Sequence, residues 1–481
     1  MVLIIATLYF VIEAYFEKNK PAFGHTTGVI VILGMLASLT IYMKFDSQEL
    51  MDDLQFNETL FFDLILPMII FPSGYNMRRK KFFRNIKTIM KFGFVGTMFC
   101  FAIYSTLTYF IWKAGLITRY DQATDSQVTL QWSMFEILSI CSLLCSSDVI
   151  AAISMISYND QPKLFSIVYG EGVFNDIVSI ILFNTVQKFQ ANFNFDASTP
   201  FQILFSFFVL ALSSVAIGLA TGIISSLLFK WFRFLCHSSI TETLLIFIIA
   251  MVTYFSSEAL ELSGIISLLT CGITMAHYTW YNLSPQGKTV SSVTVSVLGS
   301  AAESLVFAYI GLCVFTYAQG ARVGLASDHI WSISFIGWMT AIIIVGRCSA
   351  VGIAHFLFGL CSKKQDISGR ELMFIMYGGM IRGAIAFGLV LKIPDDDPSN
   401  PDAFQERGVV VTTTLAVVII TTVMFGSFMP LVQKILVPAK TEDKLVYNEV
   451  MDDDSYGDEI QITYGSDSHP HVDENGNVID P

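Results

Sequence analysis

Along this chain, long apolar runs alternate with short polar ones. Runs able to cross about 30 Å of hydrocarbon recur. Thirteen are placed at roughly 1–16, 24–43, 58–74, 89–112, 132–156, 164–187, 201–229, 241–257, 261–278, 291–317, 330–360, 371–391 and 408–433. The boundary between the eighth and ninth is the least marked. The runs lack the two-residue alternation of barrel strands, and a backbone in lipid must satisfy its own hydrogen bonds, so all are predicted to be helices. Two are interrupted. The fifth holds Ser146, Ser147 and Asp148 at mid-span, where short polar side chains compete for backbone hydrogen bonds and permit unwinding. The twelfth holds Gly378, Gly379, Gly383 and Arg382, and each glycine weakens a helix by about 1 kcal/mol relative to alanine. They lie seven spans apart, the spacing of two six-span inverted repeats joined by one linker helix. Interrupted helices at matching repeat positions point to the substrate site of a secondary transporter. Glycine-mediated helix packing is the competing reading.

Composition agrees with a bilayer solvent. The chain is 53% hydrophobic and 14% charged, where soluble domains carry about 25% charge. The net charge of −12 belongs to the end of the chain: from Thr441 onward there are twelve Asp/Glu against Lys444 alone, which is −11. The remaining body is nearly neutral, so no nucleic-acid partner is suggested. The acidic tail, rich in Gly, Asp and Ser, reads as disordered. The loop 394–401 reads as rigid and exposed. The eight cysteines are scattered in or beside apolar runs with no metal-ligand spacing, which indicates neither a disulfide framework nor a zinc site.

Loop charge orients the chain. With the C-terminus cytoplasmic, the inner loops hold nineteen Lys/Arg and the outer loops seven, with Arg347 and Arg382 inside spans. The positive-inside rule favours this assignment and an odd number of spans. The first run has its basic residues after it, the reverse of a signal peptide. An external N-terminus and a removed upstream segment both remain open. The sequon Asn57-Glu58-Thr59 falls on a loop read as external.

An ionised group near the bilayer centre costs about 2.5–3.5 kcal/mol on insertion scales and persists where it pairs or works. The candidates are Asp63, Glu136, Asp148, Glu171, Asp176, Glu303, Arg347 and Arg382. Asp63, Glu136 and Glu303 are single acids whose spacing carries no further information. The run 169–182, YGEGVFNDIVSIIL, does. Glu171 and Asn175 share a helical face and Asp176 is turned about 100° from Asn175. Two acids and an amide in so short a stretch must face a wet cavity or a partner.

At these residues the chain resembles the eukaryotic sodium/proton exchangers of the monovalent cation:proton antiporter-1 family. The matching runs are LPMIIFPSGYNMRRKKFFRNI (66–86), SSDVIAA (146–152), YGEGVFNDIVSIILF (169–183), AESLVFAYIGL (302–312), GRCSAVG (346–352) and GGMIRGAIAFGLVL (378–391). Order and span position match as well, up to about residue 435. The chain departs from the family pattern at Pro67-Met68, where two prolines are common, at Val149, where Pro or Ser is frequent, and at His25-Thr26, where a His-Glu pair is frequent. The long regulatory tail of many animal members has no counterpart.

The resemblance implies an all-α polytopic protein of the sodium/proton antiporter fold, with two inverted six-helix repeats and crossing discontinuous helices. It implies a transporter, not an enzyme: an antiporter of Na⁺ or K⁺ against H⁺, with no cofactor. The exchanger domain spans 1–435. Its core bundle is expected at about 89–187 and 330–433, its dimerisation scaffold at about 1–74 and 201–317, and a cytoplasmic tail at 436–481. The implied cation ligands are Asp176, Asn175, Asp148, Ser147 and Ser146, with carbonyls freed near Asp148. Oxygen donors suit a hard cation. Asp176 can hold a proton or the cation, but not both, which couples the two fluxes. Electrogenic relatives carry a second Asp where Asn175 stands, so one-for-one exchange is expected. Arg347 cannot lose its proton at accessible pH and is expected to pair with Glu171. Asp148 should sit near half-helix N-termini and Arg382 near C-termini at the crossing. A homodimer in lipid is expected, in the plasma, endosomal or vacuolar membrane. A cation channel is an alternative. An intramembrane aspartyl protease is another, disfavoured because its GxGD signature is absent.

Overall fold

The computed structural model describes residues 2–19, 24–44, 58–77, 79–121, 126–130, 132–148, 150–156, 161–190, 198–320, 331–361, 367–393 and 407–437. Asn57, the loop 394–401 and the tail from Lys440 lie outside these residues.

All thirteen apolar runs are helical over most of their length. In chain order they begin with α1 (Val2–Asn19), α2 (Thr26–Lys44) and α3 (58–75). A short basic helix α4 (Arg79–Arg84) precedes α5 (Ile86–Lys113). A hairpin of β1 (Thr118–Asp121) and β2 (Ser126–Thr129) follows, antiparallel with Thr118 opposite Thr129. The fifth span is α6 (Met134–Leu143) and α7 (Ile150–Ile153) with a break between them. Next come α8 (Pro162–Gln190), α9 (Thr199–Trp231), α10 (Ser239–Ala259), α11 (Gly264–His277), α12 (Pro285–Gly320) and α13 (Ile333–Cys361). The twelfth span is α14 (Gly369–Gly378) and α15 (Ala384–Leu391), again broken, and α16 (Arg407–Leu436) ends the series. Sequence pattern misses the hairpin and α4, and starts α12 six residues late, because Pro285–Thr289 is polar yet takes the first turn.

Seven of these helices are individually long and apolar enough to cross a membrane. Their outer faces are apolar too. On α9, Phe201, Phe205, Leu212, Ile224 and Trp231 are exposed while Ser214, Gly218, Gly222 and Ser225 are buried. Water would penalise that arrangement, whereas lipid favours it, and small residues turned inward let backbones approach. The same device joins α2 to α12: a Cβ on Gly34 would lie 2.7 Å from Ala308 O, and one on Gly311 2.4 Å from Val31 O. Larger residues there would force the two helices apart.

Helix ends within the bundle are satisfied by side chains. Ser133 and Glu136 form a reciprocal capping box at the start of α6, so Glu136 is a structural acid that satisfies two orphan donors. Asp63 lies on the exposed face of α3, and Glu303 is half-buried on α12.

Candidate functional site

Both interrupted spans break where their sequences weaken the helix, and the breaks touch. The Asp148 N–H donates to Ile381 O at 2.8 Å. A Cβ on Gly383 would lie 3.0 Å from the Asp148 Cβ. The first break thus passes directly over the second. Asp148, 6% exposed, lies beside the residue that precedes α15, where unpaired N–H groups favour an anion.

Arg382 serves the opposite helix ends. Its Nη1 donates to Ser146 O at 2.6 Å and Cys145 O at 3.1 Å, just beyond the end of α6. Its Nη2 donates to Gly379 O at 3.1 Å, just past α14, and to the Tyr104 hydroxyl at 3.0 Å. A single buried guanidinium therefore satisfies carbonyls that the two breaks expose, at the ends where positive charge is favoured. Carbonyls of Cys145 and Ser146 are thus engaged by a cation of the protein itself. The backbone of Arg382 is held from α16: its N–H donates to Thr421 Oγ1 at 3.1 Å, and Thr422 Oγ1 donates to its carbonyl at 3.0 Å.

Helix α8 lies against this crossing. Asn175 is fully buried. Its Nδ2 donates to Ser147 Oγ at 2.8 Å and to Glu171 Oε1 at 3.0 Å, and its Oδ1 accepts from Thr97. Amide orientation is fixed by this set, since Thr97 and Ser147 sit on opposite ends of the group. Asp176, one residue on, is half-exposed. The Ser147 backbone N–H serves its carboxylate, and Asp148 and Arg382 are the charges that act on it. Ser146 Oγ turns back to Leu143 O at 3.1 Å.

Glu171 has a different setting. It forms an ion pair with Arg347, the two side chains about 1% exposed. Gly379 leaves room for that guanidinium, because a Cβ there would lie 2.1 Å from Arg347 Nη2. Arg347 Nη1 also approaches Cys100 Sγ at 4.0 Å.

The structure brings Asp176, Asn175, Asp148, Ser147, Ser146 and Arg382 to one place, with Glu171 and Arg347 one turn away. Sequence reasoning misses Thr97, Tyr104, Thr421 and Thr422. The signal available for the first was the Gly93 and Gly96 pair flanking it on α5. Small residues there let α5 approach α8: a Cβ on Gly93 would lie 2.7 Å from Phe174 Cβ.

The family model for the transmembrane sodium/hydrogen exchanger matches residues 5–434. The chain belongs to the sodium/hydrogen exchanger family. Among curated relatives of this exchanger, sodium/hydrogen exchanger 2 of Arabidopsis thaliana is 29% identical over 456 residues, covering 94% of this chain and 79% of the relative. Sodium/hydrogen exchanger 9 of Homo sapiens is 31% identical over 382 residues, covering 78% of this chain and 55% of the relative. Among solved structures, the sodium proton antiporter MjNhaP1 of Methanocaldococcus jannaschii superposes with a TM-score of 0.62 at 15% identity, covering 89% of this chain and 97% of that one. The exchanger thus has the sodium/proton antiporter fold and is an integral, multi-pass membrane protein.

Proposed function

We propose that this protein exchanges Na⁺ or K⁺ for H⁺, one for one, at Asp176. The observation that carries this reading is the contrast on α8. Asp176 is half-exposed, whereas Glu171 is buried and paired with Arg347 and Asn175 is a neutral amide. One carboxylate is therefore left to alternate between a proton and a hard cation. Its oxygen neighbours for the cation are Ser147, Ser146, Asp148 and Asn175. Arg382 stays charged and holds the crossing, so the loaded site carries the same charge in both directions.

Transport in this reading is alternating access. The core, 89–187 and 330–433, moves against a scaffold of 1–74 and 201–317 that also mediates homodimerisation. The excess of basic residues in one set of loops supports a cytoplasmic C-terminus. The deciding experiment places the purified protein in proteoliposomes and follows internal pH after jumps of Na⁺, K⁺ or Li⁺. Expected is proton flux opposite to the cation, with a fixed flux ratio. Cation flux with no coupled proton movement would establish a channel instead.

A further inference from the structure

The segment before α2 crosses from one part of the bundle to another. His25 caps α2: its carbonyl accepts the first helical bond, from Val29 N at 3.1 Å. Its ring closes the cap as well. Nδ1 lies 3.3 Å from the Thr27 N–H and 2.7 Å from Thr27 Oγ1. A backbone N–H can only donate, so Nδ1 is the acceptor and the proton resides on Nε2. Nε2 lies 3.0 Å from Ser154 Oγ, immediately after α7, and so donates to it. The imidazole is 2% exposed. Beside it, Gly24 N donates to Ser427 O on α16 at 3.0 Å.

These bonds join elements assigned above to different moving bodies. Helix α2 is held to α12 by the Gly34–Gly311 contact, so it travels with the scaffold. Ser154 and Ser427 follow the interrupted fifth span and the bulge of the thirteenth, both in the core. A third bond, Tyr169 OH to Ser73 O at 2.6 Å, crosses the same seam from α8 to α3. Because spans alternate in direction, the start of α2, the ends of α3, α7 and α16, and the start of α8 all lie at one end of the bundle. That end carries the basic helix α4. At the opposite end, Lys188 Nζ donates to Glu261 O at 3.0 Å from an exposed side chain. Sliding of core past scaffold must break the three basic-end bonds together, and two of them radiate from Gly24-His25.

We propose that His25 is a positioning residue that latches the basic end of the core–scaffold seam shut through its bond to Ser154. The proposal rests on the exchanger reading above. Shutting that end lowers the fraction of molecules able to take a cation from it, and apparent affinity from one side scales with that fraction. The latch is oriented by its own cap, since Thr27 fixes which nitrogen faces Ser154.

The test uses the full chain in vesicles of fixed orientation, with Na⁺ supplied to either side. His25→Ala and Ser154→Ala should each raise apparent Na⁺ affinity at the basic end about fivefold, the effect of one lost buried hydrogen bond, with no rise at the other end. The double variant should go no further than either single one. His25→Gln, whose amide reaches the Nε2 position, should resemble the unaltered protein, and His25→Asn, which reaches only the Nδ1 position, should resemble His25→Ala. Ser154→Ala leaves the α2 cap intact and reads the bond alone if His25 variants fold poorly. A readout independent of transport is labelling of Ser73→Cys by a membrane-impermeant maleimide from the basic end, which should accelerate in His25→Ala and Ser154→Ala. Unchanged labelling together with unchanged affinity, or equal loss of affinity from both sides, overturns the latch. Faster labelling without any Na⁺-driven proton flux in the unaltered protein would keep the latch and remove the exchanger reading.

Discussion

Two acids five residues apart on α8 have opposite surroundings. Glu171 is buried against Arg347, and Gly379 is hollowed out to admit the guanidinium. Asp176 is half-exposed beside the crossing, served by one backbone N–H and left without a dedicated cation of its own. The first carboxylate is locked into an ion pair whose partner cannot deprotonate. The second can exchange its companion. The same helix thus separates a structural charge from a working one by turning them to different faces.

The largest effect expected from breaking this contrast is on Asp176. Asp176→Asn should abolish Na⁺-driven proton flux while leaving the folded protein intact by size-exclusion and thermal melting. Substantial flux in that folded variant would refute single-site competition.

Next in size is the locked pair. Glu171→Gln or Arg347→Ala strands a buried charge, which costs about 3–5 kcal/mol. Changing both should cost less than the two losses added together. Additive melting shifts in that double-mutant cycle would mean the two groups are energetically independent.

A smaller effect is expected where neutral partners meet. Thr97→Val keeps shape but removes the donor to Asn175 Oδ1, and should lower stability by about 1 kcal/mol. Chemical denaturation of detergent-solubilised protein measures this, and an unchanged midpoint would show that the amide finds another partner.

The smallest expected effect is none. With one titrating carboxylate and permanently charged arginines, the exchange equilibrium should not move when membrane potential is clamped. One net charge carried through 100 mV would contribute about 2.3 kcal/mol, so a shifted equilibrium point would reveal a second proton carrier, with Asp148 the first to examine. The clamp with K⁺ and valinomycin requires that K⁺ be a poor substrate.

Spans, their breaks and the charged residues of the crossing were legible because a bilayer makes each exception costly. Ser146-Ser147-Asp148 and the glycines around Arg382 stand out against apolar sequence for that reason. The Ser133-x-x-Glu136 capping signature is also plain in the chain, but it is lost when the span is started at 132 and Glu136 is treated as a lone acid. Thr97 and Thr421 carry no such mark. A threonine in a membrane helix can satisfy itself on the preceding turn, as Thr97 does on Gly93 O at 2.6 Å, so its second partner depends on packing alone. Arg382 was legible as a charge at the crossing. That it engages the Cys145 and Ser146 carbonyls, which the sequence offered as cation ligands, follows only from how the two breaks overlie each other.

The π-helical turn at Thr421–Phe425 in α16 has a consequence for variation in chain length. Such a turn holds one residue more than regular α-helix would. It is this extra residue that sets Thr421 against the Arg382 N–H and Thr422 against the Arg382 carbonyl. Losing a single residue here would leave an equally apolar helix of better intrinsic geometry. Everything after it would be rotated by about 100°, carrying Ser427 away from Gly24. At this place a one-residue deletion should therefore be far more damaging than any conservative replacement, although neither changes the hydropathy by which the span is recognised.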